Sequence, residues 1–218
     1  MNDLVLIDYL KEFVSEERFN KIIEVSNNRT NHICVAVEDL FQAHNTNAVV
    51  RSAECFGVQN VHVVENQFEF QVNREISMGA SKWLDIHPYS STKECFQTLK
   101  RLGYRVVGTM PSEKDVMIDD IDLTSPVAFV FGTEKFGLSE EAVSMADEFV
   151  KIPMYGFTES YNVSVSSALV MMSAVRRLRN SEITWQLPLE DKNALILKFL
   201  RASIREVEKI EKRFVNSL

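Results

Sequence analysis

The sequence of 218 residues lacks the features of several large protein classes. It has only three cysteines, Cys34, Cys55 and Cys95, whose odd number and wide spacing fit neither a disulfide framework nor a zinc site. We therefore expect buried free thiols and a cytoplasmic protein. No apolar run approaches the ~20 residues that a membrane-spanning helix requires. The first residues lack the basic region and cleavage site of a secretory signal, so we do not expect a membrane or secreted protein.

Several catalytic signatures are also missing. Without a G-x-S-x-G elbow, Ser160 is a poor hydrolase nucleophile, and without G-x-G-x-x-G a dinucleotide fold is not expected. The segment 131–139 has two glycines at P-loop spacing, but Leu138 stands where the phosphate-binding lysine belongs, which excludes a nucleoside triphosphatase. The four histidines have no metal-ligand spacing, so we expect no metal.

Positive charge is unevenly distributed along the chain. The net charge is −7, which alone argues against a nucleic-acid partner. Residues 163–218, however, hold 10 Lys/Arg against 6 Asp/Glu, a net of +4, whereas residues 1–162 hold 14 against 25, a net of −11. A basic C-terminal segment is compatible with a polyanion partner. A solvated helix face explains the same charges equally well.

The apolar pattern predicts alternating strands and helices. The predicted strands are 33–37, 61–64, 83–89, 104–110, 127–131 and 149–152, and the predicted helices are 4–27, 45–56, 92–102, a short one after Ser139, 162–179 and 190–214. Such alternation is typical of an α/β protein with a mostly parallel sheet and helices on both faces. On the final helix, the spacing predicts one basic face, formed by Lys198, Arg201, Arg205, Lys209 and Lys212, that suits phosphate contacts.

Three segments carry candidate chemistry, and each also has a plain structural explanation. Asn45-x-x-Ala48-x-x-Arg51 lies early in a predicted helix, where Arg51 could equally be a surface arginine paired with a glutamate. The turn of residues 131–139 could hold a small ligand through its backbone amides, and its Glu134 could simply be a helix-start carboxylate. The segment 152–166 joins a strand end to a helix. Its Ser160 or Asn162 is expected to be an N-cap.

Taken in this order, the three segments resemble the motifs of the SPOUT superfamily of RNA methyltransferases. Within that superfamily they resemble the TrmH-type ribose 2′-O-methyltransferases, over roughly residues 31–180. The N-terminal helix and a tail carrying Trp185, Leu187 and the segment 201–205 are similar to the tRNA guanosine-18 subfamily. The chain is thus expected to have an N-terminal helical extension (1–30), a catalytic domain (31–180) and a C-terminal helical extension (181–218).

The resemblance implies a fold, a cofactor and partners. The fold would be an α/β sheet with a C-terminal trefoil knot, the methyl donor S-adenosylmethionine, and the assembly a homodimer that contacts through the helices of the first and third motifs. The implied catalytic residues are Arg51, Asn45, Glu134, Ser160 and Asn162. The implied donor-binding residues are Thr109, Gly132, Ile152 and Tyr161, where the family usually has leucine in place of Tyr161.

The resulting interpretation is a cytoplasmic enzyme that methylates a tRNA ribose, at guanosine-18 of the D-loop. One alternative is a ribosomal-RNA ribose methyltransferase. Another is a non-catalytic, knotted RNA-binding dimer, and a third is a metabolic α/β enzyme with a different small ligand. The roughly 30 residues before the first strand favour tRNA over rRNA, because rRNA relatives often carry a separate N-terminal RNA-binding domain.

Overall fold

The computed structural model of the protein describes residues 3–39, 43–66, 78–110, 115–133 and 135–216. The chain divides into two compact units. The helical unit comprises Met1–Arg29 and Gln186–Leu218, and the sheet unit comprises Thr30–Trp185. The division into extensions and catalytic domain at residues 30 and 180 stays a prediction. Among the described residues, no helix is both long and apolar enough to cross a bilayer.

The described residues form eight α-helices and seven strands. The helices are α1 (Asp3–Leu10), α2 (Glu16–Asn27), α3 (Ala43–Phe56), α4 (Thr92–Arg101), α5 (Glu140–Met145), α6 (Val163–Arg179), α7 (Leu189–Ser203) and α8 (Val207–Val215). The strands are β1 (Ile33–Glu38), β2 (Asn60–Val64), β3 (Asp85–Tyr89), β4 (Arg105–Thr109), β5 (Val116–Met117), β6 (Val127–Phe131) and β7 (Glu148–Lys151). Short 3-10 helices cover Lys11–Phe13 and Ala80–Trp83.

The seven strands form one sheet in the order β3-β2-β1-β6-β4-β7-β5. Every pairing between neighbouring strands is parallel. The central strands β1 and β6 are buried along their whole length, as expected for parallel strands that are covered on both faces. The prediction of a parallel α/β sheet is therefore confirmed. β7 lies between β4 and β5, although β4 and β5 are consecutive in the chain.

Each face of the sheet has its own apolar core. Along β1, Ile33, Val35 and Val37 face one core, and the alternate residues Cys34 and Ala36 face the other, as the two-residue repeat of a strand requires. Buried residues of α3 and α6 complete the first core, and buried residues of α4 and α5 complete the second. Arg177 of α6 donates to the carbonyl oxygens of Ile118 (3.0 Å) and Ile121 (2.6 Å), which fixes α6 against this segment.

Two helix predictions were wrong in the helical unit. The predicted helix 4–27 is interrupted after Leu10, and Ser15 caps α2 by accepting a hydrogen bond from Arg18 N. The predicted helix 190–214 is two helices, since α7 ends at Ser203 and Glu206, before α8, has a left-handed backbone with φ 53°.

The break between α7 and α8 removes the single basic face that was predicted for Lys198, Arg201, Arg205, Lys209 and Lys212. Two of these residues are also neutralised locally. Arg201 Nε lies 2.7 Å from Glu211 Oε1, and Lys209 Nζ lies 2.6 Å from Glu206 Oε1. The charge of this segment therefore offers less to a phosphate backbone than its sequence indicated.

Smaller differences concern the strands. The predicted strand 83–89 begins later, at Asp85, because Trp83 belongs to a 3-10 helix. Pro88 lies inside this strand, at the edge of the sheet, where a missing N–H is tolerated. The two-residue strand β5 was not predicted from the sequence.

Candidate active site

A cavity of about 350 Å³ opens at the carboxyl ends of three neighbouring strands. β4 ends at Thr109, β6 at Phe131 and β7 at Lys151, and all three ends meet at one edge of the sheet because the strands are parallel. Ligands of open α/β sheets bind at this edge. The cavity is lined by Thr109, Met110, Phe131, Gly132, Thr133, Lys135, Phe136, Gly137, Leu138, Ile152, Met154, Glu159, Ser160, Tyr161, Val163 and Ser166.

The loop after β6 folds back tightly on itself, and we call its described residues, 132, 133 and 135–138, the cavity loop. Thr133 N donates to Gly137 O at 2.8 Å, and Gly137 N donates to Thr133 O at 2.9 Å. Phe136 N donates to Thr133 Oγ1 at 3.1 Å. A Cβ on Gly132 would lie 2.2 Å from the carbonyl carbon and oxygen of Gly137, so only glycine allows this crossing. The cavity loop is therefore a closed turn whose backbone forms one wall of the cavity.

The segment after β7 brings the first and third motifs together. Asn162 is the N-cap of α6 and accepts a hydrogen bond from Ser164 N at 2.9 Å, so the prediction of an N-cap in this segment is confirmed at Asn162. Its Nδ2 donates to Oδ1 of Asn45 on α3 at 3.4 Å. Tyr161 lines the cavity, and its Oη donates to the carbonyl of Pro153 at 3.4 Å. The amide pair thus joins the N-terminal turns of α3 and α6.

The structure groups some of the predicted site residues and separates others. Five of them line the cavity: Thr109, Gly132, Ile152, Ser160 and Tyr161. Asn45 and Asn162 are bonded to each other and do not line it. Arg51 is exposed on α3 and does not line it either. Glu134 lies outside the described residues.

The cavity offers both apolar walls and unused polar groups. Thr109 Oγ1 is buried and has no hydrogen-bond partner among the described residues, and a buried polar atom without a partner is costly. Lys135 and Glu159 bring opposite charges to the lining, and Lys135 Nζ lies 5.0 Å from the centre of the Phe136 ring. This combination suits an organic ligand with an apolar body and a few polar atoms.

Sequence reasoning missed most of the apolar wall. Phe131 ends β6 and Met110 directly follows β4, which is the signal that could have identified these two residues. Met154 lies farther along the loop after β7. Phe136, Leu138 and Val163 also line the cavity. No periodic pattern marks these positions, because loop geometry places them.

Other reactive groups in the sheet unit are poorly suited to catalysis. Burial raises the pKa of the Cys95 thiol to about 12 and that of the Cys34 thiol well above its usual range. Cys55 is exposed, so the expectation of buried thiols was wrong at this position, although all three cysteines are free.

No group of His, Cys, Asp or Glu side chains that could hold a metal ion occurs among the residues described.

His62 on β2 forms a buried stack away from the cavity. Its ring lies 4.8 Å from that of His87, and its Nδ1 lies 2.9 Å from Tyr89 Oη. Burial, together with the neighbouring His87, lowers the pKa of His62 to about 3. His62 is therefore neutral in the folded protein at physiological pH.

Comparisons with known proteins agree with this geometry. The SpoU rRNA Methylase family matches residues 32–172. A curated tRNA (guanosine(18)-2'-O)-methyltransferase of Borreliella burgdorferi is 38% identical over 219 aligned positions, covering 100% of both chains. The protein of the same name from Thermus thermophilus is 35% identical over 163 residues, 75% of this chain and 84% of the relative.

Solved structures are similar as well. The A. aeolicus TrmH/SpoU tRNA modifying enzyme superposes with a TM-score of 0.78 at 27% identity, covering 88% of this chain and 98% of that one. The resemblance seen in the three sequence motifs is thereby confirmed, and the chain belongs to the SpoU rRNA Methylase family.

Proposed function

We propose that this protein transfers a methyl group from S-adenosylmethionine to a ribose 2′-hydroxyl of tRNA, at guanosine-18. One observation carries the choice of substrate: the match to a tRNA (guanosine(18)-2'-O)-methyltransferase extends over the whole of both chains. It therefore includes the segments of the helical unit as well as the sheet unit. A ribosomal-RNA substrate is the second candidate, because the family that matches is described as an rRNA methylase.

The cavity fits the methyl donor. Its volume of about 350 Å³ lies within the usual range for small-ligand sites. Thr109 Oγ1 is a buried polar atom in need of a partner, and the lack of a side chain at Gly132 keeps the cavity loop closed. Thr109, Gly132, Ile152 and Tyr161 are the residues that would hold the donor. When bound, S-adenosylmethionine supplies a methyl group on a sulfonium that needs no further activation.

The chain's own residues have a limited chemical task. They must hold the ribose 2′-oxygen in line with the methyl group and accept or relay one proton. Arg51 is the proposed residue at the ribose, acting on the 2′-hydroxyl directly or with a substrate phosphate. Because a guanidinium is a poor base, Arg51 requires help.

Neighbouring residues support Arg51 in this proposal. Asn45, six residues before Arg51 on α3, would orient it. Asn162 would fix Asn45 through the 3.4 Å hydrogen bond between their side chains. Ser160, together with Glu134, would shape the donor pocket.

We further propose that the protein is a homodimer. Along α6, Val165 and Met172 are 45% and 46% exposed, and Ala168 and Leu169 lie between them on the same helical face. A continuous apolar face of a helix normally packs against another element. The opposite face of α6 is buried in the sheet unit, which leaves this one for a second subunit.

The trefoil knot and the cytoplasmic location also belong to this proposal. The placement of β7 between β4 and β5, which are consecutive in the chain, supports a threaded topology. Three free cysteines and a tRNA substrate support a reducing compartment that contains tRNA.

The test is methyl transfer from labelled S-adenosylmethionine to unmodified tRNA and unmodified ribosomal RNA, with the product mapped to the nucleotide. Label on the ribose of guanosine-18 is the expected result. Label on rRNA alone would keep the chemistry and contradict the substrate.

If neither RNA is labelled, a thermal shift assay separates the remaining alternatives. A rise in Tm with S-adenosylhomocysteine would indicate a donor-binding protein with another acceptor. RNA binding without that rise would favour the non-catalytic RNA-binding dimer. The absence of both would favour a metabolic α/β enzyme with another ligand.

A further inference from the structure

The carboxylate of Glu38 lies buried at the carboxyl end of β1, next to the active-site cavity but outside its lining. The residue is only 2% exposed. One oxygen, Oε2, accepts a hydrogen bond from Ser139 N at 2.9 Å. The other, Oε1, accepts one from Ser139 Oγ at 2.6 Å and a short one from Thr92 Oγ1. All three donors converge on this one carboxyl group, which therefore links Ser139 and Thr92.

Two of the three donors belong to Ser139, which directly follows the cavity loop. Leu138, the residue before it, lines the cavity. Ser139 also caps α5, because its Oγ accepts a hydrogen bond from Ala142 N at 3.1 Å. The downstream end of the cavity loop is therefore fixed to β1 through Glu38 and to α5 through the cap.

The upstream end of the cavity loop is fixed by the sheet. Phe131, the last residue of β6, pairs with Val37, the residue before Glu38. A Cβ on Gly108 of β4 would lie 2.7 Å from Leu138 Cδ1, so the loop also packs closely on the next strand. Val37 thus pairs with the residue before the cavity loop, and Glu38 binds the residue after it. Two adjacent residues of β1 therefore hold both ends of the cavity loop.

We propose that Glu38 is a positioning residue for donor binding: through Ser139 it holds the cavity loop in the closed conformation that the methyl donor requires. That the ligand is the methyl donor rests on the function proposed above. The role of Glu38 in holding the cavity loop does not depend on that function. Glu38 makes no contact with the cavity, so its effect must pass through Ser139.

Three variants separate this role from a merely structural one. Glu38→Gln keeps the size of the side chain but presents an amide group to at least one donor, and Ser139→Ala removes the hydroxyl. Thr92→Val is the matched control, since it removes a hydrogen bond to the same carboxylate from α4, which does not line the cavity. All three are expected to lower Tm.

Binding of S-adenosylhomocysteine, measured by titration calorimetry well below Tm, gives the first readout. We expect Glu38→Gln and Ser139→Ala to raise the Kd at least about fivefold, as for a coupled pair of sites. Thr92→Val should leave the Kd within about twofold of the wild-type value, because Thr92 is expected to have little energetic coupling to the donor site. Equal Kd values in wild type, Glu38→Gln and Ser139→Ala would overturn the proposal, and so would an equal loss in Thr92→Val.

Hydrogen exchange without any ligand gives the second readout. The amides of Thr133, Phe136 and Gly137 are hydrogen-bonded inside the cavity loop and should exchange faster in Glu38→Gln and Ser139→Ala, but not in Thr92→Val. If wild type fails to bind S-adenosylhomocysteine, the proposed function is wrong, and the exchange pattern still decides the role of Glu38. Unchanged exchange in both variants would contradict that role.

Discussion

Replacing Gly132 by alanine is expected to open the cavity loop and to weaken donor binding. The added Cβ would lie 2.2 Å from the carbonyl carbon and oxygen of Gly137 and 2.4 Å from the Leu138 amide nitrogen. Ordinary contacts between such atoms are about 3.5–4.0 Å, so the loop backbone must move by more than about 1 Å. Because the obstacle is backbone on both sides, no side-chain rotation can relieve it.

The size of the effect follows from this overlap. Forcing an extra methyl group into a packed site typically costs about 1–3 kcal/mol. For a protein of this size, each kcal/mol lowers Tm by about 2–4 °C, so we expect a drop of about 2–12 °C. The loop escapes part of this strain when it leaves the closed conformation, and donor binding must then restore that conformation. A strain of only 1.4 kcal/mol relieved in this way raises the donor Kd about tenfold.

Gly156 provides the matched control. It lies in the segment after β7, and a Cβ there would find only Thr158 N, at 4.0 Å. Gly156→Ala should therefore keep the donor Kd and leave Tm equal or slightly higher, because alanine reduces the freedom of the unfolded chain. Differential scanning calorimetry and titration with S-adenosylhomocysteine measure both quantities. A Gly132→Ala protein with the Tm and Kd of wild type would refute the close approach of Gly132 and Gly137.

Three further predictions concern other parts of the sheet unit. Arg51→Ala should reduce methyl transfer at least about 100-fold, as expected when a proton-transfer group is lost. The donor Kd and Tm should stay unchanged, because Arg51 is exposed. Turnover like that of wild type would remove Arg51 from the mechanism. The pKa of His62 is about 3 in the folded protein, against an ordinary value of 6.5. Between these two pH values the unfolded chain takes up a proton that the native protein excludes. The free energy of unfolding should therefore fall as pH drops from 6.5 towards 3. Urea unfolding at pH 7 and pH 5 should show a steeper loss in wild type than in His62→Gln, approaching about 1.4 kcal/mol per pH unit, and parallel slopes would contradict the buried neutral histidine. Met172→Lys on α6 should convert the proposed dimer to monomer in light scattering, whereas Glu141→Lys, at an exposed residue of α5, should not. A dimer that survives Met172→Lys would place the interface elsewhere.

Much of the sheet could be predicted because burial on both faces leaves a strong local signal. Residues 33–37 and 127–131 are short, uninterrupted apolar runs, and they became the central strands. Helix ends were also predictable where one residue determines them. Ser139 and Asn162 cap helices through their side chains, and Gly57 and Gly103 follow helices with positive φ.

The break between α7 and α8 could not be read from the sequence. The apolar positions Ile204, Val207 and Ile210 continue the helical spacing across it, and the left-handed residue is Glu206 rather than a glycine. The strand β5 was missed for a different reason. Two residues carry no periodicity, and β5 exists only because β7 pairs with it.

The candidate site was likewise predictable only in part. Gly132 and Ile152 could be predicted from the sequence because they stand just beyond strand ends, where a parallel sheet brings loops together. Thr109 was grouped with them only by the family resemblance. The bond between Asn45 and Asn162 joins residues 117 positions apart, and only the family resemblance grouped them in advance. The apolar wall around Phe136 and Met154 depends on loop geometry, which short-range sequence patterns do not encode.

The composition of the helical unit has a consequence for the order of folding. α1 and α2 both pack on α7, which is synthesised about 160 residues later. At typical elongation rates, a ribosome needs about 8–30 s to make the residues that separate them. During that interval the apolar faces of α1 and α2, including Leu6, Leu10 and Ile22, have no native partner. The sheet unit can therefore begin to fold during translation, whereas the helical unit is completed only after α7 has left the ribosome.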